Sequence, residues 1–333
     1  MRSKLFVFFA IVSLSASASP LRVSLPPMLG ALPVALAERL GHFAEEGIPV
    51  QLVPLPSQRD RLLAFQAGQI DALVTDLTSA LLLVATQPQE AAIAAALFVP
   101  AQDGSHLALL TPANYSRLYT LADFLARAST GRVQIAVPRQ SDLEYALDQL
   151  LARHGVRVPP EWLVGQDNLL LNATWLLFGM TAVGVLPQPY VDYLLHYEFE
   201  GKPELRVLAD FAGIPLPPDV LVVRRSLGAD EVRRFLAAVG RAAAHIRAMA
   251  REELIALAMP VAIALFFPGV NLEAAAPEDR ARVEAAVEAL RIPYFPDPSP
   301  VDPEILGLVA DWARKKGYLP RSLSYAEAIW PGQ

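Results

Sequence analysis

The chain has 333 residues, 53% of them hydrophobic and 19% charged, with 28 Lys+Arg against 34 Asp+Glu and no cysteine. It is more apolar and less charged than an average globular chain, so disorder is excluded for the whole, and the net charge of −6 argues against a nucleic-acid surface. The lack of cysteine excludes disulfide scaffolds, thiolate metal sites, a cysteine nucleophile and a lipoprotein anchor.

Residues 1–18 open with Arg2 and Lys4, continue through the uncharged run Leu5–Leu14 and end on Ser15-Ala16-Ser17-Ala18. A basic start, a short apolar core and small residues at the end predict a secretory signal peptide cleaved after Ala18. The apolar run is too short for a membrane span. Beyond it, short β-rich runs alternate with helical patterns, which predicts an α/β protein with largely parallel sheets.

The first round has strands at Leu21–Leu25, Ile48–Val53 and Ile70–Thr75. Helices are expected at Pro33–Glu46, from the Ser57 cap to Ala67, and at Leu77–Ala85. Strands Glu90–Val99 and His106–Thr111 lead out of this round. A second round predicts helices at Leu121–Ala128, Ser141–His154, Leu169–Phe178 and Pro189–Tyr197, with strands at Val133–Val137 and Ala182–Leu186. Ser141 and Glu144 have the spacing of a capping box. Strands Leu205–Leu208 and Asp219–Val223 follow, and the chain then turns helical through Ala229–Ala250, Glu278–Leu290 and Pro303–Lys316. The uncharged stretch Leu254–Val270 is broken by Pro260 and stopped by Pro268-Gly269, so it reads as buried core rather than a span.

The templates for nucleophilic, metal-dependent and phosphate-binding chemistry are missing from the sequence. The five histidines are scattered and none pairs at i, i+4. What remains is a set of polar strand-to-helix turns, where open α/β sheets bind ligands. These turns are Pro26–Gly30 with Met28 and Leu29, Thr75–Thr78 with Asp76, Arg139–Asp142 with Gln140 and Ser141, and Pro187–Tyr190 with Gln188. Two come from each round and would face one cleft.

These turns and their flanks resemble the solute-binding proteins of ABC importers for sulfonates, nitrate and thiamine precursors. The resemblance rests on Leu21–Leu25, Pro33–Glu38, Leu40–Val50, Ala67–Ala72, Gly184–Tyr190 and Trp312–Leu319, in that order along the chain. It implies a two-lobed periplasmic-binding-protein fold of the second type, closing on its ligand by hinge motion. Lobe 1 would be residues 19–110 plus 215–333 and lobe 2 residues 111–214, with a helical tail returning to lobe 1. The chain would cross between lobes near 108–114 and 208–218. The cysteine-rich motif of the eukaryotic pyrimidine-synthase relatives is missing here.

The implied function is that of a non-enzymatic, monomeric periplasmic protein that delivers a small molecule to an ABC permease, without metal, cofactor or nucleic acid. The candidate turns hold one cation, Arg139, beside Asp76 and Asp142, which favours a heterocyclic nutrient such as a pyrimidine over an oxyanion. Met28, Tyr145, Tyr190 and Trp175 would sandwich its ring, with Asp76, Gln140 and Gln188 on its polar edge. Ser57, Thr75, Leu29 and Ser141 complete the candidate site. The alternatives are a sulfonate or nitrate binder, or a dehydratase on the same fold using Asp76 or Asp142 for proton transfer.

Overall fold

The computed structural model describes residues 19–332 apart from 116, 196, 197, 200, 201 and 268–272. The expected signal peptide and the end of the Leu254–Val270 stretch lie outside the described residues. In chain order, a first group comprises β1 (Leu21–Ser24), α1 (Leu32–Arg39), α2 (His42–Glu45), β2 (Val50–Leu52), α3 (Gln58–Gln66), β3 (Ala72–Asp76), α4 (Leu77–Thr86) and β4 (Ala91–Phe98). The second comprises β5 (Leu107–Pro112), α5 (Leu121–Ala128), β6 (Ile135–Ala136), α6 (Asp142–Arg153), α7 (Leu169–Leu177), β7 (Val183–Pro187), α8 (Tyr190–Leu195), β8 (Glu198–Phe199), β9 (Lys202–Pro203) and β10 (Leu205–Asp210). After β11 (Asp219–Arg224) come α9 (Ala229–Ala248), α10 (Arg251–Phe266), α11 (Pro277–Glu288), α12 (Pro303–Lys315) and α13 (Tyr325–Ala328).

Two main sheets result, ordered β2-β1-β3-β11-β4 and β10-β5-β7-β6. In the first, β1 pairs parallel with β2 and β3, while β11 runs antiparallel to β3 and β4. In the second, β5 opposes β10 and β7, and β6 is parallel to β7. Each sheet therefore runs one way except for the strand that enters it from the other group. Since β5 belongs wholly to the second sheet, the first crossing covers residues 99–106, ahead of the expected 108–114; the return crossing covers 211–218.

The first sheet is covered on both faces, which is why β3 and β4 are buried throughout. Period-two alternation sorts the side chains. Val220 and Val222 face a core with α4 and α12, while Leu221 and Val223 face one with α1 and α9. The second sheet builds its own core with Phe124, Leu147, Leu176 and Tyr190.

The expected single helix Pro33–Glu46 is two helices, α1 and α2. Gly41 separates them at φ 78, a left-handed conformation that costs glycine little. Helix α10 buries Leu254, Ala258, Ala262 and Phe266, one stripe at i, i+4 spacing. No helix among the described residues is long and apolar enough to cross a membrane.

The tail does not return only to the first sheet. Leu29, Phe266 and Val287 form a core with Leu170 of α7 and Tyr193 of α8, and Arg291 pairs with Asp192 at 2.7 Å. Helices α10 and α11 thus join the two groups along one flank.

Candidate functional site

Strand β3 ends at the buried pair Thr75-Asp76, and the Asp76 carboxylate caps α4. It accepts from the Ser79 amide at 3.0 Å and the Ser79 hydroxyl at 2.6 Å. Facing it across the cleft, α6 starts behind its Ser141 cap. Asp142 at its first position reaches over to the start of α4. One carboxylate oxygen accepts from Leu77 N at 2.9 Å, the other from Thr78 N at 2.9 Å and Thr78 Oγ1 at 2.6 Å. In return, Asp142 N donates to Asp76 Oδ1 at 3.2 Å. Each helix start, with its unpaired amides and positive dipole end, thus holds the other's carboxylate, and the cleft is closed. Burial holds the pKa of both carboxyls above the usual carboxylate range, and the charge of Asp76 raises that of Asp142 further.

A second set of bonds between the two groups lies beside it. Glu144 of α6, fully buried, receives Lys316 Nζ at 2.9 Å and the Tyr318 hydroxyl at 2.8 Å. Asp148 receives Trp312 Nε1 and Lys316 Nζ, both at 2.9 Å.

Behind the Asp76–Asp142 contact is a cavity of about 40 Å³, room for roughly three water molecules at ~10–15 Å³ each. Segments from both crossings, α3, and the starts of α4 and α6 line it. Five of its wall residues are proline: Pro26, Pro27, Pro100, Pro138 and Pro217. Its polar groups include the buried Asp76, Asp219, Arg61 and His106 and the half-buried Asp142.

Asp219 opens β11 directly opposite Asp76 in the β3 register. Its Oδ2 has no hydrogen-bond partner among the described residues. Burial and the charge of Asp76 push its carboxyl up to about 8, with Arg61 pulling the other way. Its neighbour is Gly30, where a Cβ would stand 1.9 Å from Oδ2. Arg61 of α3 donates through Nη1 to the carbonyls of Leu55 (3.0 Å) and Pro56 (3.1 Å), while its Nε has no partner among the described residues. Burial pulls the guanidinium down to about 10, which leaves it charged at neutral pH. His106, buried against the Phe98 ring at 5.2 Å, is driven down to about 4 by burial and is neutral.

Of the residues expected from the sequence, Met28, Asp76 and Ser141 line the cavity. Thr75 sits behind them, its hydroxyl 3.4 Å from Asp76 Oδ2. Ser57 caps α3 through the Asp60 amide, and Leu29 belongs to the core with Phe266. Gln140 is exposed at φ 59. Its amide takes the Glu144 carboxylate at 2.7 Å, so the expected capping box is only half formed: Ser141 accepts from Glu144 N, and Glu144 reaches past it. Gln188 holds the Asp192 amide and reaches the Ser105 carbonyl.

The expected aromatic sandwich is not assembled. Tyr145 is buried edge-on against Trp312 at 5.5 Å, and Tyr190 is fully buried with its hydroxyl on the Phe266 carbonyl at 2.9 Å. Both project from helix faces that point to cores rather than to the cleft. Trp175 is half-buried on α7 and does not line the cavity. Arg61, His106 and Asp219 were not among the expected residues. The signals for two of them were slight: a lone acid at the head of the apolar strand Asp219–Val223, and one arginine of the charged Gln58–Arg61 turn facing inward.

The buried groups set a pH dependence of stability. Asp219 is raised from an ordinary value near ~3.9 to about 8. Its contribution is therefore full in acid and lost as pH rises toward 8. Asp76 and Asp142 act in the same sense. His106 is lowered from ~6.5 to about 4, so its contribution is full above ~6.5 and lost as pH falls. The opposing slopes overlap in acid, and above ~6.5 only the carboxyls act. The melting temperature is expected to fall between pH 6.5 and 8, and Asp219→Asn to flatten the fall; a rise over that interval in thermal scans would contradict this assignment.

No protein-family model and no curated protein matches the sequence. Solved structures do. The alkanesulfonate-binding protein SsuA from Xanthomonas axonopodis pv. citri, bound to MOPS, superposes at a TM-score of 0.70 and 19% identity, over 95% of this chain and 99% of that one. The periplasmic aliphatic sulphonate-binding protein SsuA from Escherichia coli gives 0.66 at 17%, over 94% and 98%. The periplasmic nitrate-binding protein NrtA from Synechocystis PCC 6803 gives 0.57 at 16%, over 72% and 65%. Two sheets with one reversed strand each, two crossings, a cleft between helix starts and these superpositions together establish that the chain has the two-lobed α/β fold of the periplasmic binding proteins.

Proposed function

We propose that this is an extracytoplasmic solute-binding protein that captures a small molecule between its lobes and delivers it to the permease of an ABC importer. One lobe would be built on the first sheet and the other on the second, with the crossings at 99–106 and 211–218 as the hinge, which moves the expected first boundary back from residue 110, and residues 1–18 would be the export signal. The observation that carries this reading is the cavity between the starts of α4 and α6, at the point where both crossings meet. Such a cleft is where a hinged α/β pair takes its ligand.

The solute is one that donates hydrogen bonds, and a nitrogen heterocycle such as an aminopyrimidine meets that need. Two buried aspartates, Asp76 and Asp219, and the half-buried Asp142 face one buried arginine there. The amides at the start of α4, where an oxyanion would otherwise sit, are engaged by Asp142. The five wall prolines contribute no N–H. These features weigh against sulfonate or nitrate, the ligands named for the structural neighbours. Asp142 holds three hydrogen bonds from the facing helix start, and Asp76 holds two from its own helix and one from the facing one, which suits a fastening better than proton transfer.

The test is a thermal-shift screen of the chain from residue 19 against nucleobases, vitamin precursors, amines, sulfonates and nitrate. A binder at a hundred times its Kd adds about 2.7 kcal/mol. Stabilisation by donor-bearing heterocycles or amines is the expected result. Stabilisation by oxyanions alone would overturn the ligand class, and turnover of a hit would overturn the binding role.

A further inference from the structure

We propose that Asp219 and Arg61 read the ligand as a pair. Asp219 Oδ2 takes an N–H from it and Arg61 Nε gives one to it, so the solute presents a donor beside an acceptor on one compact edge. This rests on the cleft being the solute site, and it goes further by naming which atoms select the solute.

Three observations carry it. Both side chains are about 96% buried (each 4% exposed) and line the same cavity. One atom of each, Asp219 Oδ2 and Arg61 Nε, is buried without a hydrogen-bond partner among the described residues. Buried polar atoms are nearly always satisfied, and leaving one unmade is costly. Here an orphaned acceptor and an orphaned donor belong to two residues that line one cavity of about 40 Å³. That space admits a polar group of roughly three or four non-hydrogen atoms, at ~10–15 Å³ per water-sized atom group.

The rest of each side chain is fixed. Arg61 is moored by Nη1 to the Leu55 and Pro56 carbonyls. Asp219 is set by the β3 register, and its carboxylate lies against Gly30, where any Cβ would collide with it. The two atoms are therefore held in place before a ligand arrives, as recognition groups need to be. A neutral amide or the amino-imine edge of a heterocycle supplies both complements. An oxyanion supplies only acceptors, and an amidinium only donors.

A second consequence distinguishes recognition from mere structure. The charged and titratable groups facing Asp219 are Asp76 from β3, Arg61 from α3, Asp142 from α6 and His106 from the first crossing. Burial among them keeps Asp219 protonated near neutrality. An N–H from the ligand favours the carboxylate, so binding at neutral pH releases a proton to the buffer.

The experiment is calorimetric titration of wild type, Asp219→Asn and Arg61→Lys with cytosine and acetamide, which carry donor and acceptor. 1,N4,N4-Trimethylcytosine serves as acceptor only, acetamidinium as donor only and methanesulfonate as oxyanion. Cytosine or acetamide is expected to bind at least about tenfold more tightly than the one-function probes, with heats that differ between phosphate and Tris buffers. Asp219→Asn should abolish the buffer dependence and weaken binding about tenfold, while melting at the same or a higher temperature without probe. Arg61→Lys keeps the charge and should lose affinity only for acceptor-bearing probes. Equal binding of cytosine or acetamide by wild type and Asp219→Asn overturns the pair and leaves the solute-binding reading standing. So does a failure of both to bind while other solutes stabilise the protein. Binding of methanesulfonate alone overturns both this pair and the donor-bearing ligand class.

Discussion

Asp142→Ala is expected to loosen the closed cleft and to give the protein an affinity for methanesulfonate that the wild type lacks. The Asp142 carboxylate makes three bonds from α6 to Leu77 and Thr78 in the first turn of α4, beside the single bond from its own amide to Asp76. A hydrogen bond to a charged group contributes roughly 1.5–3 kcal/mol. Burial beside Asp76 takes part of this back, so a net loss of about 2–4 kcal/mol from the closed form is expected. At about 1.4 kcal/mol per factor of ten, that moves the balance between closed and open forms by roughly thirty- to a thousandfold. The Glu144–Lys316–Asp148 contacts also join the two lobes and remain, so the opening is partial, while the separate cores of the lobes keep the variant folded. Its vacated amides then resemble an ordinary anion site at a helix start. Small-angle scattering should show a larger radius of gyration, and methanesulfonate should raise the melting temperature of the variant only. An unchanged radius together with no response to methanesulfonate would show that Asp142 does not hold the cleft shut.

Gly165→Ala is expected to destabilise the second lobe more than an ordinary core substitution. The segment Leu163–Gly165 runs beside β6, with Val164 N on the Ile135 carbonyl at 3.0 Å. A Cβ on Gly165 would stand 2.2 Å from the Val137 carbonyl carbon and 2.4 Å from its nitrogen. Overpacking costs typically about 1–3 kcal/mol when side chains can move aside. Here the obstacle is backbone, flanked by Pro138 and the Ser141 cap, so a loss of at least about 3 kcal/mol is expected. The midpoint of denaturant unfolding measures it, and a loss below about 1 kcal/mol would refute the close approach. The cavity should suffer as well, because Pro138 and Asp167 line it from the two sides of this contact.

Much of the fold could be read from the sequence because its signals are local. Ser57, Asp76 and Ser141 mark helix starts through their own side chains, and the alternation of strand with helix needs no distant partner. The two tyrosines were misassigned for the opposite reason. Tyr145 and Tyr190 follow the polar turns closely, yet a helix rotates by about 100° per residue, which turned both rings into cores. The site itself was largely illegible, since Arg61, His106, Asp142 and Asp219 come from four separate segments that only the closed tertiary structure brings together. In a list of residues, Arg61 in Gln58-Arg59-Asp60-Arg61 is indistinguishable from a solvated helix face. Nor could the pattern show that α10 and α11 straddle both lobes, because their apolar stripes carry no record of what they cover.

The five wall prolines carry a consequence for the kinetics of capture. A proline ring holds φ near −65°, and a rigidifying proline is worth about 0.4–1 kcal/mol through the states it removes from the loose chain. Pro26, Pro27, Pro100, Pro138 and Pro217 sit in the loops that meet the solute. Those loops have few alternative shapes to give up when the lobes come together. On the proposed solute-binding role, capture would have the character of two preformed jaws meeting, its rate set by how often the jaws swing rather than by how long the loops take to find their shape.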